Sequence, residues 1–161
     1  MMRCLVMSDS HGHDDDVRWM LEQCWKDIGP VDCYLHCGDG AYDFMRLENF
    51  IRNRDEYALM YGVGGNCDVG VPGLESYMVL NLDGAKVFLT HGHRYHVKSE
   101  YSYIDDVSKE KGCSITLFGH THRPFWEQRQ TLLLNPGSAA DGRMALLEIN
   151  NGKPRFKLLA F

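Results

Sequence analysis

The segment Cys4-Leu5-Val6-Met7-Ser8-Asp9-Ser10-His11-Gly12-His13 passes without a break from an apolar run into one acid, two hydroxyls and two imidazoles. The apolar part reads as a short buried strand. A strand that finishes on Asp9 and His11 finishes on side chains that resist burial. Two explanations compete. Either Asp9 caps a following helix, or Asp9 and His11 hold a metal ion. The first needs only this segment; the second needs partners elsewhere in the chain.

The residues that follow supply a helix. Asp14, Asp15 and Asp16 put negative charge at its N-terminus, Val17, Met20, Leu21 and Cys24 recur at helical spacing, and Gly29-Pro30 stops it. Cys33 to His36 is the next strand. Phe44, Leu47, Phe50 and Ile51 mark a second amphipathic helix, and Tyr57 to Val63 is a third strand. A β-α-β-α-β order predicts parallel strands with right-handed crossovers. The pattern then changes. Ser76 to Leu82 and Ala85 to Thr90 flank Asp83-Gly84, a hairpin signal. Glu100 to Lys111 reads as a helix and Ile115 to Phe118 as a strand. Phe125-Trp126, Thr131 to Leu134, Met144 to Ile149 and Phe156 to Phe161 add further strands, with a turn at Asn150-Asn151-Gly152. The expectation is an α/β chain of two packed sheets with helices outside, one domain over residues 1–161.

The chain has 161 residues, 44% of them hydrophobic and 24% charged, enough for one domain with a sizeable core. Its net charge of -5 argues against a generally basic nucleic-acid surface. Leu5 to Met7 is too short for the apolar core of a signal peptide, and no apolar stretch approaches the roughly 20 residues that span a bilayer. A soluble cytoplasmic protein without membrane or nucleic-acid partners is expected. The six cysteines show no paired CxxC spacing, which fits reduced, mostly buried thiols rather than a disulfide framework. Cys33 and Cys37 come nearest to a zinc half-site, but they share one strand and no second half-site follows. Gly62-Val63-Gly64-Gly65-Asn66-Cys67 begins like a dinucleotide-binding loop, yet Cys67 stands where the third glycine belongs.

The unusual polar residues fall where strands end. Asp9 and His11 follow the first strand, Gly38-Asp39 the second and Gly65-Asn66 the third. His91-Gly92-His93 follow the hairpin, Gly119-His120-Thr121-His122 the Ile115 strand, and Asn135-Pro136-Gly137-Ser138 the Leu132 strand. In open α/β sheets ligands gather beyond the carboxyl ends of strands. Each segment has an ordinary reading by itself: Asp39 as a turn residue, Asn66 as a left-handed loop residue, any one histidine as a structural group. Their shared position asks for one shared role. Two carboxylates, an amide oxygen and several imidazoles, without a thiolate, suit Mn²⁺, Fe²⁺, Zn²⁺ or a similar borderline ion rather than Ca²⁺ or a structural zinc. The set is too large for one open tetrahedral site, so two ions are expected. Asp39, central in the chain order, is the candidate bridge, because each of its oxygens can take one ion.

Asp9-Ser10-His11, Gly38-Asp39, Gly65-Asn66-Cys67-Asp68, His91-Gly92-His93 and Gly119-His120-Thr121-His122 resemble, in order, the motif series of the calcineurin-like metallophosphoesterases. The compact size, Cys67 and the Asn135-Pro136-Gly137-Ser138 segment resemble the small YfcE-type phosphodiesterases, a branch that also contains the retromer subunit, a scaffold. The resemblance implies a four-layer α/β/β/α sandwich with two packed mixed sheets. It implies that Asp9, His11 and His122 hold one metal, that Asn66, His91 and His120 hold the other, and that Asp39 bridges them. It also implies a small phosphoester substrate and a homodimer. Mn²⁺ is the favoured ion, with Fe²⁺, Zn²⁺, Ni²⁺ and Co²⁺ as alternatives. With Asp9 a ligand, capping of the first helix falls to Asp14 or its neighbours.

The expected activity is that of a two-metal phosphodiesterase in which a hydroxide shared by the ions attacks phosphorus. A phosphomonoesterase, or a non-catalytic scaffold on the same fold, is the alternative. Two Asp carboxylates against two divalent ions leave a positive surplus that draws in phosphate. Asp39, Asn66, His93 and Cys67 are the catalytic candidates. His93 is read as a phosphate contact or as a support for His91. Cys67 stands where relatives carry a histidine that resembles a general acid for the leaving oxygen. It is read as a weaker acid in that place or as a small buried thiol behind Asn66. Arg94, Tyr95, His96, Arg123, Phe125 and Trp126 flank the ligand segments, either as a substrate groove or as ordinary surface and core.

Overall fold

A computed structural model describes residues 1–161. The chain runs β1 (Met2–Met7), α1 (Asp14–Ile28), β2 (Cys33–His36), α2 (Ala41–Arg52), β3 (Leu59–Gly62), β4 (Tyr77–Leu82), β5 (Ala85–Thr90), α3 (Ser102–Glu110), β6 (Ile115–Leu117), β7 (Phe125–Gln128), β8 (Leu132–Asn135), β9 (Arg143–Asn150) and β10 (Lys153–Ala160). The first sheet has the order β10-β9-β1-β2-β3 and the second β4-β5-β6-β8-β7. β1, β2 and β3 are parallel, as are β5, β6 and β8. The remaining neighbours are antiparallel. Six parallel strands, three in each sheet, therefore carry the loops that hold the unusual polar residues.

Alternation of side chains explains why the layers stack as they do. Cys4 and Val6 of β1 enter the core between the sheets, where they join Val87 and Leu89 of β5, Ile115 and Leu117 of β6, and Leu132 and Leu134 of β8. Leu5 and Met7 point the other way, onto Val17, Met20 and Leu21 of α1. Phe88 and Leu133 leave the second sheet on its outer face and meet Ile104 of α3. The result is a four-layer α/β/β/α sandwich. β1 needs no polar face because it is covered twice, and each fully buried side chain of this size contributes about 1.5–3 kcal/mol.

The structure revises several sequence-based boundaries. β3 is shorter than Tyr57 to Val63, because Asp55 accepts the Tyr57 N–H in a turn (3.0 Å) and leaves Tyr57 exposed. α3 begins at Ser102 rather than Glu100, since the Glu100 carboxylate accepts the Ser102 and Tyr103 N–H groups at the helix start. Asp14 does not cap α1. His13 takes the cap position without a side-chain bond to the helix backbone, and Asp14, Asp15 and Asp16 occupy the first turn. Phe125 and Trp126 take the second of their two expected places, as part of the sheet structure. They belong to edge strand β7, where Phe125 stacks on Tyr101 (4.3 Å between ring centres) and Trp126 packs on Phe156 (5.1 Å). No helix is long and apolar enough to cross a membrane.

Candidate metal centre

The loops meet at one end of the sandwich. After β1, the Asp9 N–H donates to the Gly38 carbonyl (2.9 Å) and the His11 N–H to the Asp39 carbonyl (3.1 Å). After β6, the Gly119 N–H donates to the His91 carbonyl (2.9 Å). The His120 N–H crosses between sheets to Asp9 Oδ2 (3.0 Å). Five of the eight non-glycine residues with positive φ are Asp9, His11, Asp39, His120 and His122. An L-residue in that region costs about 1–2 kcal/mol. Strain of this kind persists where the surroundings over-determine a functional geometry.

Seven side chains converge there. Around Asp9 Oδ1 lie His122 Nε2 at 3.1 Å, His11 Nε2 at 3.5 Å and His91 Nε2 at 3.9 Å. Around His91 Nε2 lie Asn66 Oδ1 at 3.0 Å, His120 Nδ1 at 3.2 Å and Asp39 Oδ2 at 3.3 Å. Asp39 Oδ2 is also 4.0 Å from His11 Nε2, so it reaches both groups. Asp9 Oδ1 is buried and accepts no hydrogen bond, although two imidazoles stand close to it. Leaving such an atom unpaired costs at least about 1–3 kcal/mol. Donor atoms of several residues crowded around common points fit a cation. Carboxylate, amide and imidazole donors fit borderline divalent ions.

The protonation pattern prepares the cluster. Burial opposes a charge on His91, but Asp39 and Asp9 outweigh it and hold the imidazole proton above its ordinary range. Burial, with His91 and Lys98 adding to it, lowers His120 to about 4, so that ring is neutral at pH 7. Burial works to raise the Asp39 carboxyl, but His91 and the Cys67 N–H overcome it and keep it well below the usual carboxylate range. A metal ion must therefore displace the His91 proton. Metal affinity is expected to fall about tenfold per pH unit below the His91 pKa and to level off above it. Mn²⁺ titrations between pH 5.5 and 8.5, in two buffers of different ionisation enthalpy, measure both the slope and the released proton. A flat profile with no proton release contradicts the assignment.

Several supporting residues escape a reading of the sequence. His91 Nδ1 lies 2.8 Å from the Cys37 carbonyl, which fixes that nitrogen as the donor and turns Nε2 toward the cluster. Asp68 accepts four backbone N–H groups: Asp39 and Gly65 on one oxygen, Gly40 and Ala41 on the other, all within 3.0 Å. It ties the Asp39 loop, the Asn66 loop and the start of α2 together. Ser8 Oγ donates to Asp9 Oδ2 (2.5 Å), and Ser138 Oγ to the Asp9 carbonyl (2.8 Å). Asn135 Nδ2 holds the Gly119 carbonyl (3.0 Å), so the Asn135-Pro136-Gly137-Ser138 segment supports the loops on both sides. Buried His36, lowered to about 4 by desolvation, accepts the Gly38 N–H at Nδ1 (3.0 Å). Its Nε2–H is then free to donate to Ser10 Oγ (3.1 Å), whose own hydroxyl donates to Asp43 Oδ2 (2.7 Å).

His93 and Cys67 sit at the rim. The His93 ring lies 5.3 Å from that of His91 and shares no hydrogen bond with it; its buried Nδ1 has no partner. His91 is steadied by Cys37 instead, so His93 does not support it through a hydrogen bond. Cys67 is exposed, which removes the reading of a buried thiol behind Asn66. Its N–H donates to Asp39 Oδ1 (2.7 Å). Desolvation, then the Asp39 carboxylate, push its thiol pKa up and keep it protonated at neutral pH. The other five thiols are buried.

The two-sheet sandwich thus gathers a carboxylate–imidazole cluster at the ends of its parallel strands. Residues 2–152 match the calcineurin-like phosphoesterase superfamily domain, and the chain belongs to that superfamily. It is 29% identical over 146 residues to a probable metallophosphoesterase of Methanocaldococcus jannaschii, covering 89% of this chain and 71% of that one. A crystal structure of a predicted phosphoesterase from Streptococcus pneumoniae aligns with a TM-score of 0.74 and 28% identity, over 99% of this chain and 89% of the other. The zinc complex of wild-type Vps29 from Entamoeba histolytica shares the fold, with a TM-score of 0.74, 21% identity and 99% coverage of both chains.

Proposed function

We propose that this metallophosphoesterase is a two-metal phosphodiesterase. Asp9, His11 and His122 would hold one ion, Asn66, His91 and His120 the other, with Asp39 between them. The observation that carries this reading is the reach of Asp39 Oδ2 toward both His91 and His11, beside an Asp9 oxygen that has no partner. Two ions bound there would supply Lewis-acid charge for the phosphate oxygens and lower the pKa of a shared water. The chain's own residues then orient and select. Asp39 is kept ionised by His91 and the Cys67 N–H. Asp68 keeps the Asp39 and Asn66 loops in register. His93 stands close enough to the His91 and His120 rings to meet a phosphate oxygen at the rim. The cleft that leaves the centre toward α2 contains one cation, Arg46, already paired with Asp14 and Asp43. So little positive charge suits a monoanionic diester better than a dianionic monoester.

Hydrolysis of bis(p-nitrophenyl) phosphate and of p-nitrophenyl phosphate, with Mn²⁺ and with chelator, tests the reading. The diester is expected to be the better substrate and chelation to abolish turnover. Turnover unaffected by chelation overturns the metal reading, and no turnover of any ester favours a scaffold. Cys67 supplies a separate prediction. A neutral thiol is a poor proton donor to an alkoxide, so esters with good leaving groups should react much faster than alkyl esters. Cys67→His is expected to raise kcat on alkyl esters about 10-fold or more and to change aryl esters little. An equal effect on both removes position 67 from the acid role.

A further inference from the structure

α2 starts directly after the Gly38-Asp39-Gly40 loop, and its first turns form one wall of a cleft of about 350 Å³. Its lining also includes His11, Asp39 and Cys67, so the cleft adjoins the candidate metal centre on the side of the proposed acid. Tyr42 and Arg46 are four residues apart, hence neighbours on one helix face, and both line this cleft. Tyr42 is 52% exposed, a large ring with most of its surface in solvent beside a polar centre. Arg46 is half exposed yet held: Nη2 donates to Asp43 Oδ1 (2.6 Å) and reaches Asp14 Oδ1 (3.4 Å).

Those two carboxylates cancel the charge that a second phosphate would need. They leave a guanidinium fixed in position on the cleft wall that also carries a phenol ring. A planar cation and an aromatic ring that share one wall favour a flat π-face over an anion. We propose that Tyr42 and Arg46 form the leaving-group subsite, and that it takes a planar aromatic group, as an aryl or a nucleoside alcohol carries. The direction of the subsite rests on the phosphoesterase reading; the stacking itself does not.

The test compares two pairs of diesters with Mn²⁺-loaded protein. Methyl phenyl phosphate is set against its hexafluoroisopropyl analogue, whose leaving group is of similar acidity but not aromatic. A dinucleoside monophosphate is set against the analogue that lacks the leaving base. In Tyr42→Ala the ratio of kcat/KM, aromatic over non-aromatic, is expected to fall about tenfold, mostly through KM, and Tyr42→Phe should restore it. A fall in the first pair alone assigns the subsite to aryl groups, and a fall in the second to nucleosides. Arg46→Met should lower the same ratio. If Arg46→Met fails to fold because the tie to Asp14 is lost, Tyr42→Ala still decides. A second readout does not depend on turnover: phenyl methylphosphonate should shift the Tyr42 ring protons upfield by stacking. Hydrolysis with unchanged ratios and no ring-current shift overturns the subsite. A ring-current shift without hydrolysis of any ester keeps the subsite and overturns the phosphoesterase reading.

Discussion

Asp39→Asn is expected to lower kcat/KM for a phosphodiester by at least about 10³-fold, because it removes the carboxylate that lies against His91 and also reaches His11. Asp39 Oδ2 is 3.3 Å from His91 Nε2 and 4.0 Å from His11 Nε2. Asparagine keeps the shape and can keep the bond from the Cys67 N–H, but it offers one neutral oxygen in place of two charged ones. Lewis-acid stabilisation of a phosphoryl group amounts to several kcal/mol, and each 1.36 kcal/mol is tenfold in rate. The same change removes the carboxylate that helps keep His91 protonated in the metal-free protein, so the imidazole pKa should drop. The His91 ring resonances followed against pH check this independently of turnover. A variant with near-normal kcat/KM and an unchanged His91 titration would rule out the bridging position.

Gly65→Ala is expected to weaken metal binding although residue 65 is not itself a ligand. A Cβ at position 65 would lie 2.1 Å from Asp39 Oδ1 and 2.6 Å from the Asp39 nitrogen. Gly65 does not have positive φ, so alanine fits its backbone and the conflict is contact alone. Asp39 must swing away, taking with it the bond from the Cys67 N–H and the Asp68 carboxylate that binds both loops. Displacing a supporting contact of a metal ligand costs about 10–100-fold in affinity, and overpacking adds about 1–3 kcal/mol of instability. Mn²⁺ titration and thermal unfolding of the metal-free variant separate the two. Unaltered affinity would mean that the loop has room the structure does not show.

Much of this architecture could be read from the chain. The apolar run Cys4 to Met7 is continuous because β1 is buried on both faces, and the spacing of Val17, Met20, Leu21 and Cys24 reflects the stripe that α1 lays on Leu5 and Met7. The ligand segments were visible because each follows a strand. Other features were not legible, for stated reasons. Asp68 works across 27 to 29 residues of sequence on the Asp39 loop, and nothing in Gly65-Asn66-Cys67-Asp68 says that its acid caps α2. His36 left a faint signal, a histidine in an otherwise apolar strand, whose meaning depends on Ser10 and Asp43. The left-handed conformations of Asp9, His11, Asp39, His120 and His122 leave no mark, since none of them is glycine. The edge position of Phe125 and Trp126 could not be read because their partners, Tyr101 and Phe156, come from distant elements.

The central claim is that seven side chains hold a pair of ions around Asp39. The most direct measurement is the Mn²⁺ content of chelator-stripped protein after equilibrium dialysis, for the wild type and for Asp39→Ala. Two ions per wild-type chain, with the number falling in the variant, is the expected result. Fewer than two in the wild type, or the same number in both proteins, would contradict it.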